Sequence, residues 1–313
     1  MRIYFVTDVH GSEVCFRKFL NSAPIYEPDV MIIGGDITGK VLVPVVSTGN
    51  GSATAVTNQG DVVLENAEAI AAFERRTADM GSYTWRCTAD ELAAAHDDPE
   101  RVHELFVQAV IDRVRAWTEL AAERLRGPSP RVLISGGNDD FWEVDDVLRA
   151  AQRVECPDRD VVDVGEGLEM LSLGAANETP WNCPRDLPEP DLQAAIDELA
   201  TRLRGGPTIF NLHVPPYNTR LDVGPALVDG NRPRLGMTGM ETAPVGSTAV
   251  RTSVERYAPM LSLHGHVHES RAVDKIGKTI AINPGSEYNQ GLLRSALVDI
   301  RKGKVKRHQL LCG

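Results

Sequence analysis

The sequence predicts an α/β protein, and three observations carry that prediction. Apolar runs rich in β-branched residues and leucine recur along the chain, each closes on polar residues, and segments with apolar residues near a 3.6-residue period lie between them. The first run, Arg2–Thr7, closes on Asp8 and is followed by a helical pattern over Glu13–Leu20, for which Asp8-Val9-His10 offers N-capping chemistry. The second, Asp29–Ile33, closes on Gly34-Gly35-Asp36, and the third, Arg131–Ser135, on Gly136-Gly137-Asn138-Asp139. Thr208–Leu212 closes on His213, and Met260–Leu263 on His264-Gly265-His266-Val267-His268. In open α/β sheets ligands bind at the carboxyl ends of the strands, so these closing residues are the first candidates for function.

The remainder reads as additions to one domain spanning residues 1–313. Residues 41–126 form an insertion, a Gly-punctuated hairpin followed by helices from about Glu65 to Arg126, and are a candidate cap. Pro215 to Gly246 is rich in Gly, Pro and Asn without periodicity, and a long loop in a compact domain points to function or mobility. From Ala272 to Leu311 the pattern alternates as strands that extend a sheet. The run DRDVVDVGEG reads as a solvated surface, and Trp85, Trp117, Trp142 and Trp181 read as packing residues.

Composition narrows the functional classes. Apolar residues make up 42% and charged residues 25% of the 313, which fits a folded globular chain and excludes a disordered one. With 33 basic and 44 acidic residues the net charge is −11, which argues against salt-driven binding to duplex nucleic acid or an anionic membrane. A phosphate-handling site in so acidic a chain needs a local positive centre, either clustered Arg and Lys or bound metal. Five cysteines without a CxxC pair fit a reducing compartment. The N-terminal segment is too short and polar for a signal sequence and no apolar run approaches a membrane span, so the expected location is the cytoplasm.

Taken singly, each polar strand end has a structural explanation: a cap, a tight turn, or an asparagine in left-handed backbone. Together they are harder to explain so. Five of the eight histidines (His10, His213, His264, His266, His268) stand at strand ends beside Asp8, Asp36 and Asn138, while His96, His103 and His308 lie elsewhere. Imidazole with carboxylate suits Mn, Fe, Zn, Co or Ni, whereas Mg and Ca prefer oxygen shells. Seven ligands exceed one tetrahedral site; if one carboxylate bridges, they supply four ligands to each of two ions. Two ions about 3.5–4 Å apart form a clamp for in-line displacement at phosphorus.

The ordered series DVH, GGD, GND, H and GHVH, from Asp8 to His268, resembles the calcineurin-like metallophosphoesterase superfamily. The stretches HVPPYNTRLD, LHGHVHES and INPGSEYNQG look like a bacterial and archaeal branch of it. The resemblance implies an α-β-β-α sandwich, here with the hairpin and helical insertion. It further implies that Asp8, His10, Asp36 and His268 hold one divalent ion, that Asp36, Asn138, His213 and His266 hold a second, and that a hydroxide between them attacks phosphorus. Manganese is the first metal to expect in vitro, and the partner is a small-molecule phosphoester, with no duplex nucleic acid and no membrane. The oligomeric state is not legible.

One position departs from the family pattern. Where the family has His after the motif asparagine, as proton donor to the leaving oxygen, this chain has Asp139. A neutral Asp139 is one candidate donor and His264 another, against the reading that His264 points into the core; Asp140 is a candidate to orient a ligand. Arg251, with the Gly246 and Ser247 amides, is a candidate phosphate contact, against an exposed salt-bridging arginine. Tyr217 and Asn218 either line the pocket or cap a turn, and Met237 and Met240 either cover an apolar part of the substrate or pack. The leading function is a phosphodiesterase. The alternatives are a nucleotide pyrophosphatase, whose leaving phosphate needs little acid help, and a non-catalytic metal-binding scaffold.

Overall fold

The computed structural model describes residues 1–127, 130–228, 232–236 and 239–313. Alternation within the strands decides the layering, because successive side chains of a strand point to opposite faces. In the strand Arg2–Val6 both sets are apolar, so both faces must be covered. Ile3 and Phe5, with Ile32 and Leu133, meet Met170, Ile209 and Leu263 of a second sheet and form the core between the sheets. Tyr4 and Val6, with Met31 and Ile33, pack beneath the helices Glu13–Asn21, Pro99–Arg124 and Glu143–Ala150. On the far side, Leu171, Phe210 and Leu212 meet the helices Glu189–Ala200 and Thr248–Tyr257. The result is the expected helix-sheet-sheet-helix sandwich.

The first sheet runs Lys304–Cys312, Arg294–Arg301, Arg2–Val6, Val30–Ile33, Arg131–Ile134, with the last three parallel. The second runs Ala272–Ile276, Thr279–Asn283, Leu261–Leu263, Thr208–Leu212, Leu168–Leu173, Asp160–Gly165, with the middle four parallel. All five apolar runs are therefore strands, three in one sheet and two in the other. The strand ends of both sheets open onto one edge, where the candidate residues gather.

Several elements differ from expectation. The charged run over 158–167 is an edge strand, Asp160–Gly165, paired antiparallel with the fully buried Leu168–Leu173. LEMLSL lacks β-branched residues, so burial rather than propensity makes it a strand. Within the insertion, Tyr83–Cys87 pairs parallel with Leu42–Gly49, completing a four-stranded sheet with its own core of Val43, Val45, Ala53, Ala55 and Leu64. The insertion's long helix is a structural layer on the first sheet, with Trp117 stacked on Phe16 at a 4.2 Å centroid separation. The loop from Pro215 carries short antiparallel pairs, Val223–Pro225 with Thr242–Pro244 the longest. The cap of the first helix is Ser12, whose hydroxyl accepts from the Cys15 amide, rather than Asp8 or His10. No helix among the described residues is long and apolar enough to cross a membrane.

Candidate metal centre

The backbone at the shared edge is strained where the candidate ligands sit. Asp8, His10, Asp36 and His266 adopt φ of 52°, 40°, 48° and 64°, in the left-handed region that non-glycine residues avoid. Each such residue costs on the order of 1 kcal/mol or more and persists only where its surroundings enforce it. Here Asp8 N–H donates to the Gly35 carbonyl and His10 N–H to the Asp36 carbonyl, at 2.9 and 3.0 Å, locking the first two loops together. The glycines beside the ligands are required by close approach. A Cβ on Gly35 would lie 2.3 Å from His213 Nδ1, and one on Gly265 would lie 2.3 Å from Asp8 Oδ2.

The side chains form two facing groups, Asp8 with His10 and His268, and Asp36 with His213 and His266, each group's ligand atoms within 4.8 Å of one another. His10 Nε2 and His268 Nε2 lie 3.0 Å apart, and His268 Nε2 lies 3.3 Å from Asp8 Oδ1. His10 Nδ1 faces the Thr38 carbonyl at 3.2 Å, which places the ring proton there and leaves Nε2 with its lone pair directed at the cluster. His213 Nε2 is 3.3 Å from Asp36 Oδ1, yet both its ring nitrogens are buried without a hydrogen bond. Asn138 donates its amide to Asp186 Oδ1 at 2.8 Å, which turns its Oδ1 toward His266 Nδ1 at 3.0 Å. Orphaned imidazole nitrogens converging with carboxylate oxygens fit a divalent cation.

Electrostatics hold Asp8, Asp36, His10 and His266 in the protonation states that a cation needs, and His213 departs from them. Burial opposes charge on Asp8, but the hydrogen bond from His268 and the charge on His213 carry its pKa down to about 2. Asp36 is likewise held well below the usual range, against burial, chiefly by His213. Burial pushes His10 and His266 down to about 4. Burial also opposes charge on His213, but Asp36 outweighs it and holds the imidazolium up to about 9.

The remaining candidates are placed differently. Asp139 donates its amide to Asp36 Oδ1 at 3.1 Å, but its carboxylate is ion-paired with Lys40 and accepts the Cys183 thiol at 2.8 Å. His264 is fully buried, its Nδ1 against the Leu212 and Val214 carbonyls at 2.8 and 3.1 Å, a core position away from the cavity described below. Arg251 pairs with Glu255 and bonds the Tyr217 and Asn218 carbonyls; it does not line the cavity. Its supposed anion site is taken, because Glu189 accepts from the Thr248 and Ala249 amides and from the Ser247 hydroxyl, while Gly246 N–H donates to Asp222. The Asn218 amide donates to Asp222, whose carboxylate caps the turn, and neither Asn218 nor Tyr217 lines the cavity. Met240 is exposed outside the cavity, and Met237 lies outside the described residues.

Of the residues that hold the site together, the sequence offered Asp140 as a candidate to orient a ligand, and Asp186 and Arg185 were missed. Asp140 is buried and accepts from the Ile37, Thr38 and Gly137 amides, stapling the second strand's loop to the third's. Asp186 positions Asn138, and Arg185 underpins the same loop. Of these, only Asp140 carried a sequence signal, its place in the GGNDD run.

A cavity of about 990 Å³ opens from this centre, lined at its floor by Asp36, Asn138, His266 and His268, and no residue of 41–126 lines it among those described. Trp181, read as a packing residue, stands at its wall 61% exposed.

No protein-family model matches the chain. An uncharacterized protein of Methanocaldococcus jannaschii, MJ1162, is 33% identical over 156 residues, which is 49% of this chain and 63% of that protein, so the match spans under two thirds of the relative. The crystal structure of TT1561 from Thermus thermophilus aligns over 100% of this chain and 97% of its own at 14% identity and a TM-score of 0.53, a likeness of fold. A structure described as a novel archaeal phosphodiesterase aligns over 99% and 100% at 12% identity, with a TM-score of only 0.36. The sandwich, and the order in which its strand ends present Asp8, Asp36, Asn138, His213 and His266, are those that the resemblance to the calcineurin-like metallophosphoesterases implies.

Proposed function

We propose that this chain is a calcineurin-like metallophosphoesterase, a hydrolase that holds two divalent ions and cleaves phosphodiesters. One observation carries the reading: the two oxygens of Asp36 face the two groups separately, Oδ2 3.7 Å from His10 Nε2 and Oδ1 3.3 Å from His213 Nε2. Asp36 would thus be shared, with Asp8, His10 and His268 completing one site and Asn138, His213 and His266 the other. Bound there, the ions would supply positive charge for the phosphoryl oxygens and acidify water into a nucleophile. They would also provide the positive centre that a net charge of −11 denies the surface.

The protein's own contribution at the leaving group falls to Lys40. Asp139 occupies the family's histidine position but holds the ammonium of Lys40 over the cavity floor, where it is a ready N–H donor to a phosphoryl or leaving oxygen. The burial that opposes the lysine's charge is outweighed by Asp139, which raises its pKa. Lys40→Met is therefore expected to lower kcat on alkyl phosphodiesters by about 10²-fold while sparing p-nitrophenyl esters, whose leaving group needs little help. Equal losses on both ester types, at unchanged metal content, would refute this role.

Loading the site must also displace a proton. His213 is an imidazolium below a pKa of about 9 in the metal-free protein, whereas a ligand must be neutral. Metal affinity should then fall about tenfold per pH unit below that value, with roughly one proton released. Calorimetric titrations with Mn²⁺ in buffers of different ionisation enthalpy measure it, and identical heats in all of them would contradict it.

Five cysteines that the fold leaves unpaired, Cys15 and Cys87 of them buried, are compatible with the cytoplasmic location proposed. The activity itself is tested by metal analysis joined to initial rates of the Mn²⁺-loaded protein on bis-p-nitrophenyl phosphate, p-nitrophenyl phosphate, cyclic nucleotides and nucleoside polyphosphates. The diester should be turned over fastest. Preference for polyphosphates would favour the pyrophosphatase alternative, and inertness to all of them the scaffold.

A further inference from the structure

The cavity beyond the metal centre has a character that phosphate chemistry does not require. One wall is the loop from Asn177 to Pro184, which presents Trp181 and Pro184; the other presents Pro225, Leu227, Val245 and Val267. Apart from Lys40 at the floor, the cation among the described lining residues is Arg234, already paired with Glu241, while Glu178 and Glu269 add negative charge. A polyphosphate chain needs several cations along its length, and the described residues of these walls supply none in surplus. An indole left 61% exposed in a cavity that Leu227 and Val245 also line instead offers a surface that suits an apolar partner.

The apolar wall is also fixed relative to the reaction centre. Asp186 accepts from the Thr179 amide at 3.0 Å, the Thr179 hydroxyl at 2.5 Å and the Cys183 amide at 3.0 Å through one oxygen, and from Asn138 at 2.8 Å through the other. The residue that orients a candidate ligand therefore anchors the loop that carries Trp181. A group held against that wall has a set distance from the phosphorus.

We infer that the site takes a phosphodiester with one bulky apolar alcohol, which lies between Trp181 and Leu227 while the phosphoryl group sits at the Asp36 floor. The inference rests on the phosphodiesterase reading and adds the substrate class. Hydrolysis needs only water as co-reactant: the oxygen of water bonds to phosphorus, the bond to the departing alcohol oxygen breaks, and that oxygen takes up a proton.

The test uses p-nitrophenyl phosphodiesters that share a leaving group and differ in the second ester: methyl, octyl or naphthyl. With the Mn²⁺-loaded protein, kcat/KM should rise about tenfold or more from methyl to octyl or naphthyl, the larger rise identifying an alkyl or an aromatic source. Trp181→Ala and Leu227→Ala should each reduce the preference, and methyl(naphthylmethyl)phosphinate, which has no ester bond to break, should bind the native protein about tenfold tighter than dimethylphosphinate by calorimetry. Equal kcat/KM across the three esters, or faster turnover of ATP than of the naphthyl diester, overturns the inference. The first result leaves the hydrolase reading standing. Inertness to every ester, the methyl one included, overturns that reading and this inference with it.

Discussion

Replacing Asp36 with alanine is expected to empty both metal sites and to lower kcat/KM on the order of 10³-fold or more, about 4 kcal/mol of transition-state stabilisation. No other side chain in the cluster faces both groups with separate oxygens. Asp36 also accepts the Asp139 amide at 3.1 Å, so its loss loosens the loop that carries Asn138. Because Asp36 sits at φ 48°, alanine adds backbone strain, and Asp36→Asn is the cleaner companion: asparagine tolerates that conformation and keeps an acceptor for the Asp139 amide, removing only the charge. Metal content by elemental analysis and the rise in melting temperature on adding Mn²⁺ separate ligand loss from misfolding. The native chain should show the rise and Asp36→Asn should not. Two ions retained with full turnover in Asp36→Asn would remove the bridging role and the two-ion reading with it.

The same residue shows why this site was legible in a single sequence. A polar residue closing an apolar run is a local pattern, and the α/β fold places such closings on one edge, so Asp8, His10, Asp36, Asn138, His213, His266 and His268 could be read together before any contact was known. What stayed hidden is carried by partners distant along the chain. Lys40 meets Asp139 across the cavity floor, and Asp186 meets Asn138 from a strand only two residues long. The phosphate contact for which Arg251 was a candidate is ruled out by the same kind of distant partner: the Gly246 amide donates to Asp222 and the Ser247 amide to the Pro215 carbonyl, and Glu189, from the start of another helix, takes the next two amides. Leu168–Leu173 was missed because its leucines, methionine and glutamate favour helix intrinsically, while its place between two neighbouring strands and two apolar cores makes it a strand.

Arg185 is the extreme case of such a hidden residue, and its removal should give the largest loss of stability. Its side chain is fully buried, with the guanidinium 2.9 Å from Asp145 Oδ1 and 3.1 Å from Asp158 Oδ2. It also donates to the Asp140 and Phe141 carbonyls, both at 2.8 Å, and stacks on the Trp142 ring at 4.4 Å. Arg185→Ala leaves Asp145 and Asp158, 3% and 4% exposed, without that countercharge. Breaking a buried ion pair from one side costs about 3–5 kcal/mol, against a total stability of about 5–15 kcal/mol for a typical domain. Burial already raises the Asp158 pKa, and Arg185 works against that rise. Without the arginine the folded-state pKa climbs further above its unfolded value, so the folded variant binds more protons than the unfolded chain and grows more stable as pH falls. The difference between native protein and variant, measured by urea unfolding of the metal-free chains, should therefore be largest near neutral pH and narrow toward pH 5. Activity should fall as well, since the lost side chain fixes the carbonyls of Asp140 and Phe141 in the loop that carries Asn138. A loss below about 1 kcal/mol, within the range of ordinary substitutions, or a difference that widens on acidification, would show that Asp158 does not depend on Arg185 for its charge.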